Sequence, residues 1–207
     1  RYALLLNSDA FLGEGAAAAL VKALEDDPRV GIAGACLVYP DGREQVSYGR
    51  LPSLVREMGS LVGLDKLNKG TGDKGKGDVK EVGAVSGACL LARRAMLDQI
   101  GLLDERFFMF SEEIDLCKRA WTAGWKVVHV PAARVVHVGG GSSGVTAGRV
   151  VQLYRAKVQY FEKHHGGRSS KALVSAMRGT SRAKVWLYAP INAQKAALWR
   201  DVCQGFG

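Results

Sequence analysis

Short apolar runs that alternate with helix-like segments constrain the fold of this chain more than any other feature. The run at 2–6 ends in a polar tripeptide at 7–9, and an alanine-rich helical pattern follows at 15–25. The apolar run at 30–39 is followed by a turn at 40–42, after which 44–48 can return antiparallel, and the run at 79–92 precedes a short helix at 93–100. Strands that alternate with helices build a sheet with helices packed on its faces. The sequence therefore predicts an α/β fold with a mixed, mostly parallel sheet flanked by helices.

A proline and two glycine-rich segments interrupt this pattern. Pro131 separates the apolar runs at 125–130 and 134–138, and because proline cannot donate to a sheet ladder, we expect two strands there. The segment at 68–78 cannot bury enough apolar surface to order itself, so we expect a mobile excursion. The loop at 139–144 lacks the lysine and the spacing of a P-loop, and we interpret it as a hinged lid.

An acidic helix start is the segment most suggestive of chemistry. Glu112 and Glu113 open a helical pattern directly after the aromatic segment at 107–110. Carboxylates at a helix N-terminus complement the helix dipole by about 0.3–1 kcal/mol each. An apolar wall beside them would instead raise a carboxyl pKa and make the group a proton acceptor near neutrality. Local chemistry leaves a structural role and a catalytic role equally open.

The helical period distinguishes the acids from one another. Glu113 shares a face with Cys117, whereas Asp115 lies four residues before Arg119 and can pair with it. We therefore expect Glu113 to point inward and Asp115 to point outward.

Two polar residues end predicted strands. Asp9 follows Asn7 where the first apolar run stops, and ligands of open α/β sheets collect beyond the carboxyl ends of strands. An aspartate there could hold a divalent cation and the phosphates that it neutralises, although such residues also form ordinary turns. His137 ends a later run, and a lone histidine in that place is more often a core residue than a ligand.

The net charge of +9 is concentrated in the last part of the chain. From Arg149 onward there are eleven lysines and arginines against two acids, so residues 1–148 are neutral overall. Aromatic residues lie among these cations. This pattern is typical of an amphipathic segment at a membrane interface, and equally of a solvated helix that packs on the domain through its aromatic side. The sequence predicts a domain at 1–148 followed by a basic helical tail at 149–207.

Cysteine usage and hydropathy exclude several classes of protein. The four cysteines are scattered without C-x-x-C pairing, which argues against a zinc ribbon or a disulfide framework and suits a reducing compartment. No apolar run approaches the roughly 18 residues of a spanning helix.

Six segments, taken in order, resemble the family-2 glycosyltransferases of the GT-A fold, most closely the bacterial rhamnosyltransferase-like branch. They are LLNSD at 5–9, VSGACLL at 85–91, IGLLDERFFM at 100–109, EEIDLCKR at 112–119, AGW at 123–125, and VH at 136–137 before the glycine-serine loop. The resemblance covers about residues 1–165, and the ordered set is far more specific than any one member.

The resemblance implies roles for individual residues. Asn7 and Asp9 would stand in for the D-x-D motif that binds the donor, with Asp9 holding Mg²⁺ or Mn²⁺ on the nucleotide diphosphate. His137 would complete that metal site. Glu113 falls on the usual catalytic base, with Glu112 as the first acid of the pair.

The resemblance also implies which residues lie on the acceptor side, and comparison with the family shows where this sequence departs from it. Ser86, Gly87, Ala88 and Asp104 would line the sugar and acceptor cleft. The acid pair is Glu-Glu where the family has Glu-Asp, so the base would stand one methylene further out. The family's opening segment, which holds the nucleobase, is absent, so we expect either a fragment of a longer enzyme or a protein that lost donor binding.

The resemblance implies an inverting glycosyltransferase. It would move a sugar, for example a deoxyhexose such as rhamnose, from a nucleoside diphosphate to a cell-surface glycan or a lipid-linked acceptor. We expect a cytoplasmic protein whose basic tail makes a peripheral contact with the inner face of the plasma membrane, with little activity in the chain as given. A non-catalytic glycan-binding or scaffold protein derived from such an enzyme is the alternative. We expect no nucleic acid partner, because the positive charge of the tail is the only feature that would support one.

Overall fold

A computed structural model describes residues 1–63, 77–139 and 146–206. Most of the predicted excursion at 68–78 and of the predicted lid at 139–144 lies outside the described residues. The elements are β1 (Tyr2–Leu6), β2 (Ala10–Leu12), α1 (Ala16–Asp26), β3 (Val30–Val38), β4 (Tyr48–Gly49), α2 (Leu54–Leu61), β5 (Lys80–Glu81), β6 (Ala84–Val85), β7 (Cys89–Arg93), α3 (Arg94–Ile100), α4 (Glu112–Thr122), β8 (Lys126–His137), α5 (Ala147–Tyr188) and α6 (Ala193–Phe206).

These elements form two compact units. The sheet unit contains the described residues within 1–51, 77–104 and 112–139. The helical unit contains those within 52–63, 105–111 and 146–206.

The sheet unit is built on a mixed sheet with the strand order β1-β7-β3-β8-β2, and β5 pairs with β8. Its longest ladder joins β3 to β8 and is parallel, whereas β7 pairs antiparallel with both β1 and β3, and β2 and β5 pair antiparallel with β8. Strands β1, β3 and β8 therefore run in the same direction and end at one edge, which we call the carboxyl edge. The predicted α/β class with a mixed sheet and flanking helices is confirmed.

Both faces of this sheet are apolar because side chains alternate along each strand. Leu20 and Leu24 of α1 pack against one face together with Ala33. Ile32, the next residue along β3, faces the opposite cluster, which includes Leu116 of α4. Burial on both faces explains why β3 has nine buried residues in succession.

The hairpin after β3 matters for the site because it carries Gln45. The predicted turn forms around Gly42, whose φ of 82° suits glycine. The returning chain pairs briefly with β3, since the Gln45 N–H donates to the Leu37 carbonyl at 2.8 Å and Val38 bridges Glu44. Beyond this bridge the chain leaves β3, and Tyr48 pairs with Val85 of β6.

The prediction of two strands around Pro131 was wrong. Strand β8 continues from Lys126 to His137, and its ladder with β3 steps from the pair Ala35–Val130 to the pair Cys36–Arg134. Proline has no N–H to donate to the ladder, and the irregular pairing at this position allows the strand to continue through it.

The helical unit is an antiparallel pair of long helices with α2 packed on α5. Thr146 caps α5 by accepting a hydrogen bond from the Arg149 N–H, and the helix is kinked at Gly166, where φ is 80°. Helix α6 returns along α5, and the Arg155 guanidinium donates to the Gly205 carbonyl at 3.0 Å. Among the described helices, none combines the length and apolar character needed to cross a bilayer.

Candidate active site

Asp9 and His137 meet at the carboxyl edge. Strands β2 and β8 place Ala10 opposite His137, and the Val138 N–H donates to the Asp9 carbonyl at 3.0 Å. The Asp9 Oδ1 atom then lies 3.4 Å from His137 Nε2. The Asp9 side chain is 45% exposed and that of His137 is 16% exposed, so the pair is accessible from the Asp9 side.

Gln45 holds the other side of the His137 imidazole. Its Nε2 donates to the His137 carbonyl at 2.5 Å, which orients the amide, and its Oε1 lies 2.9 Å from His137 Nδ1. Because Oε1 can only accept, Nδ1 must carry the proton. The lone pair of a neutral ring is then on Nε2, the atom that faces Asp9.

This arrangement fits a bound cation. With the proton on Nδ1, Nε2 and the Asp9 carboxylate are two acceptors that face each other. A proton on Nε2 or a divalent metal between the two atoms would remove their repulsion. Within the described residues no cluster of three or more histidine, cysteine or acidic side chains forms a metal cage. Two protein ligands suit Mg²⁺ or Mn²⁺ that takes its remaining ligands from substrate phosphates and water.

A short chain of contacts leads from this pair to Glu113. The Asn7 N–H donates to the Ala88 carbonyl at 3.0 Å, which places Asn7 beside the segment before β7. The backbone of Gly87 lies against Glu113, since a Cβ at position 87 would be 3.3 Å from Glu113 Cβ and 3.7 Å from Cδ. The carboxyl edge thus brings Asp9, His137 and the 86–88 segment to the same end of the sheet, with Glu113 packed on that segment.

The electrostatics of Glu113 suit proton transfer. Burial, reinforced by the negative charge of Glu112, raises the pKa of Glu113 from 4.5 to about 7. Backbone N–H groups, including that of Gly87, lower the pKa and offset part of this rise. Within the described residues, one enclosed carboxylate oxygen of each glutamate has no hydrogen-bond partner. A carboxylate with a pKa near neutrality is a competent general base.

The expectation that Asp115 points outward was wrong. Asp115 is fully buried, and its Oδ2 lies 2.8 Å from Arg119 Nε, so the predicted pairing is confirmed. Arg119 makes this burial tolerable because it neutralises the carboxylate and donates to the carbonyls of residues 100–102. Asp104 follows in the same loop and is half-buried, and its place in an acceptor cleft stays a prediction.

A segment that the sequence analysis missed supports the edge. Ser47 accepts a hydrogen bond from the Leu37 N–H at 2.8 Å, and its own carbonyl accepts from the Ser86 N–H at 2.8 Å. Ser86 in turn accepts from the Ala88 N–H at 3.3 Å. Hydrophobic patterning would have placed Val46 inside and its polar neighbours outside, yet Val46 is 79% exposed. Only the register of the hairpin reveals that Ser47 links β3 to the segment that carries Ser86.

The other histidines lie elsewhere. His129 is buried and stacks on Tyr48 with ring centroids 4.4 Å apart, which makes it a core residue. His164 and His165 belong to the helical unit, where their rings contact Tyr160 and Phe161.

Comparisons with known proteins found a family profile and curated relatives that match this chain. A family profile described as "Glycosyltransferase like family 2" matches residues 1–160. The N-acetylglucosaminyl-diphospho-decaprenol L-rhamnosyltransferase of Mycobacterium tuberculosis is 32% identical over 186 residues, which are 86% of this chain and 61% of that protein. The low-salt glycan biosynthesis hexosyltransferase Agl10 of Haloferax volcanii is 42% identical over 43 residues, covering 21% of this chain and 14% of that protein.

A solved structure is also similar. The crystal structure of GalNAc-T7 with UDP, GalNAc and Mn²⁺ superposes with a TM-score of 0.46 at 16% identity, covering 77% of this chain and 33% of that one. The chain spans about 61% of the length of the rhamnosyltransferase that it matches.

Proposed function

The chain belongs to glycosyltransferase-like family 2, as its motifs predicted, and from this premise we propose that it carries the metal-binding and acceptor-binding part of an inverting glycosyltransferase. The observation that carries the proposal is the carboxyl edge. It holds the Asp9–His137 pair and a half-buried glutamate, Glu113, whose pKa is raised to about 7.

Glu113 is the catalytic base in this mechanism. Its carboxylate takes the proton of the acceptor hydroxyl while the hydroxyl oxygen attacks the anomeric carbon from the face opposite the leaving group. A new carbon–oxygen bond forms as the bond to the diphosphate breaks, and the nucleoside diphosphate leaves with the electron pair. Inversion at the anomeric carbon follows from this single displacement.

Asp9 and His137 would hold a divalent cation, Mg²⁺ or Mn²⁺, whose charge stabilises the leaving diphosphate. Asn7 would assist donor binding beside them. Gln45 keeps the Nε2 lone pair of His137 directed toward this position. Ser86, Gly87, Ala88 and Asp104 line the sugar and acceptor side in the proposal.

The substrate classes rest on the family and on the rhamnosyltransferase relative. We propose a nucleoside-diphosphate sugar as donor, with rhamnose as the first to test, and a lipid-linked or cell-surface glycan as acceptor. The relative's name specifies a diphospho-decaprenol acceptor. Residues 1–148 would form part of the catalytic domain, and the basic tail at 149–207 would rest on the inner face of the plasma membrane.

Transfer from nucleotide sugars, assayed with the full-length protein, tests the proposal. Glu113→Gln and Asp9→Ala should each lower the transfer rate by about a hundredfold or more, because one removes the base and the other a metal ligand. Glu162→Gln and Asp201→Ala, which alter exposed acids of the helical unit, serve as matched controls and should leave the rate unchanged. Unchanged rates in both site variants would rule out this site.

The Glu112–Glu113 pair favours a second candidate, a glycan-binding or scaffold protein without catalytic activity. The longer side chain at position 113 would misplace the base by one methylene relative to the Glu-Asp pair implied by the resemblance. Calorimetry separates the two candidates. Glycan binding without metal-dependent affinity for nucleoside diphosphates would favour the second.

A further inference from the structure

The last turn of α5 and the turn that follows it expose several large apolar side chains. Residues 186–191 read Trp-Leu-Tyr-Ala-Pro-Ile, and we call them the apolar tip. Trp186 is 85% exposed, Leu187 60% and Ile191 75%. Single exposed apolar residues are ordinary, but a contiguous group of large ones marks an interaction site.

The backbone of the apolar tip is held in a defined turn. The Tyr188 carbonyl accepts hydrogen bonds from the N–H groups of Ile191 at 3.0 Å and Asn192 at 2.8 Å. The Asn192 side chain then caps α6 by accepting from the Lys195 N–H at 2.9 Å. The apolar side chains are therefore presented by the end of α5 and by a hydrogen-bonded turn that leads into α6.

Cations flank the apolar tip in the sequence. Residues 178–200 contain five lysines and arginines and no aspartate or glutamate. Lys184 lies over the Trp199 ring, 4.0 Å from its centroid, and Lys195 lies 5.3 Å from the Tyr188 centroid. These contacts keep both ammonium groups beside the tip, and Arg182 is exposed one helical turn before Trp186.

The combination of apolar surface and positive charge identifies the partner. A second copy of this chain packed tip to tip would bring like charges together, which is unfavourable. A bilayer with anionic headgroups satisfies both features, since tryptophan is enriched at the membrane interface and lysine and arginine are attracted to anionic lipids.

We propose that the apolar tip inserts Trp186, Leu187 and Ile191 into the interface of an anionic lipid bilayer, with neighbouring lysines and arginines on the headgroup phosphates. This inference deepens the proposed function and rests on one part of it, namely that the acceptor is linked to a lipid. It replaces a diffuse attraction by the basic tail with a defined point of attachment.

Cosedimentation of the protein with vesicles tests the attachment. Vesicles of phosphatidylcholine mixed with phosphatidylglycerol should bind the parent protein. The triple variant Trp186→Ser, Leu187→Ser, Ile191→Ser should bind these vesicles more weakly, by a factor of about ten or more. The matched control replaces three exposed valines, Val46, Val55 and Val62, by serine and should bind as the parent does. Circular dichroism verifies that all variants are folded.

Tryptophan fluorescence reports insertion directly. Lipids brominated on their acyl chains should quench part of the emission of the bound parent protein, and Trp186→Phe should abolish this quenching while retaining binding. Quenching that persists in Trp186→Phe would overturn the proposed insertion. Equal binding of the parent and the triple serine variant would overturn the attachment, as would equal binding to vesicles of phosphatidylcholine alone.

Failure of this inference is distinguishable from failure of the proposed function. The vesicles contain no acceptor glycan and no nucleotide sugar, so Glu113→Gln should bind them as the parent does. Conversely, the triple serine variant should transfer sugar to a water-soluble acceptor at the parental rate. Sedimentation equilibrium without lipid gives a further check, because loss of self-association in the triple serine variant would identify the tip as a contact between copies and overturn the proposal.

Discussion

The carboxyl edge and the apolar tip differ in how each is assembled. The edge gathers polar side chains from five separated parts of the chain, and within the described residues one carboxylate oxygen of Glu112 and one of Glu113 are enclosed without a hydrogen-bond partner. The tip is six consecutive residues, most of them exposed. Groups held by packing respond strongly to small changes around them, whereas exposed groups respond only through what they bind. The residues proposed for sugar transfer and those proposed for membrane attachment can therefore be altered independently of each other.

The largest expected effect tests whether enclosed polar groups of the sheet unit matter more for stability than exposed groups. Asp115→Ala would leave Arg119 without its buried partner, and it should lower the free energy of unfolding by about 3 kcal/mol. Trp186→Ser at the tip should change it by less than about 0.5 kcal/mol. Urea denaturation measures both values, and similar losses in the two variants would erase the contrast.

Gln45 provides the next largest effect. Gln45→Leu removes the acceptor for the His137 Nδ1–H and should weaken Mn²⁺ binding by about 10–100-fold. Gln45→Glu keeps an acceptor oxygen in place and should retain most of the affinity. Calorimetry measures the binding, and ¹⁵N chemical shifts of the imidazole should show the Nδ1–H tautomer in the parent and its loss in Gln45→Leu. An unaltered tautomer in Gln45→Leu would show that Gln45 does not set it.

Gln45 also marks the limit of what the sequence predicts. Local periodicity placed Asp9, His137 and Glu113 at the ends of strands or the start of a helix, and the resemblance to the family then implied their roles. The role of Gln45 depends on the register of a hairpin against β3, and no local pattern encodes that register.

The error at Asp115 has a similar origin. Helical spacing correctly paired Asp115 with Arg119, but spacing alone does not show which side of the helix the loop at 100–102 covers. The continuity of β8 through Pro131 likewise depends on a ladder irregularity that only the neighbouring strand determines. Long-range partners, rather than local propensity, decided each of these features.

A smaller effect is expected at Gly87, where the edge has little spare room. Gly87→Ala would place a Cβ 3.3 Å from that of Glu113, so the carboxylate must shift by a few tenths of an ångström. We expect the turnover rate to fall by about tenfold because the base is misplaced. Gly49→Ala, where a Cβ meets nothing within 4 Å, is the matched control. Equal rates in the two variants would mean that Gly87 does not position Glu113.

The smallest effect concerns the titration of Glu113. Transfer should increase as the pH rises through about 7, because the base must be deprotonated to accept a proton. Glu112→Gln removes the neighbouring charge and should move this midpoint to lower pH, although Glu113 should keep most of its raised pKa because burial is the larger cause.

The raised pKa of Glu113 also makes the stability of the fold depend on pH. The unfolded chain releases this proton near pH 4.5 and the folded chain only near 7, so the contribution of Glu113 to stability falls between these values and is constant above them. Glu113→Gln should abolish this fall, whereas the triple serine variant of the apolar tip should retain it. A pH dependence of unfolding that is identical in Glu113→Gln and in the parent would show that Glu113 does not titrate near neutrality, and the enclosed carboxylate would then differ little from an exposed one.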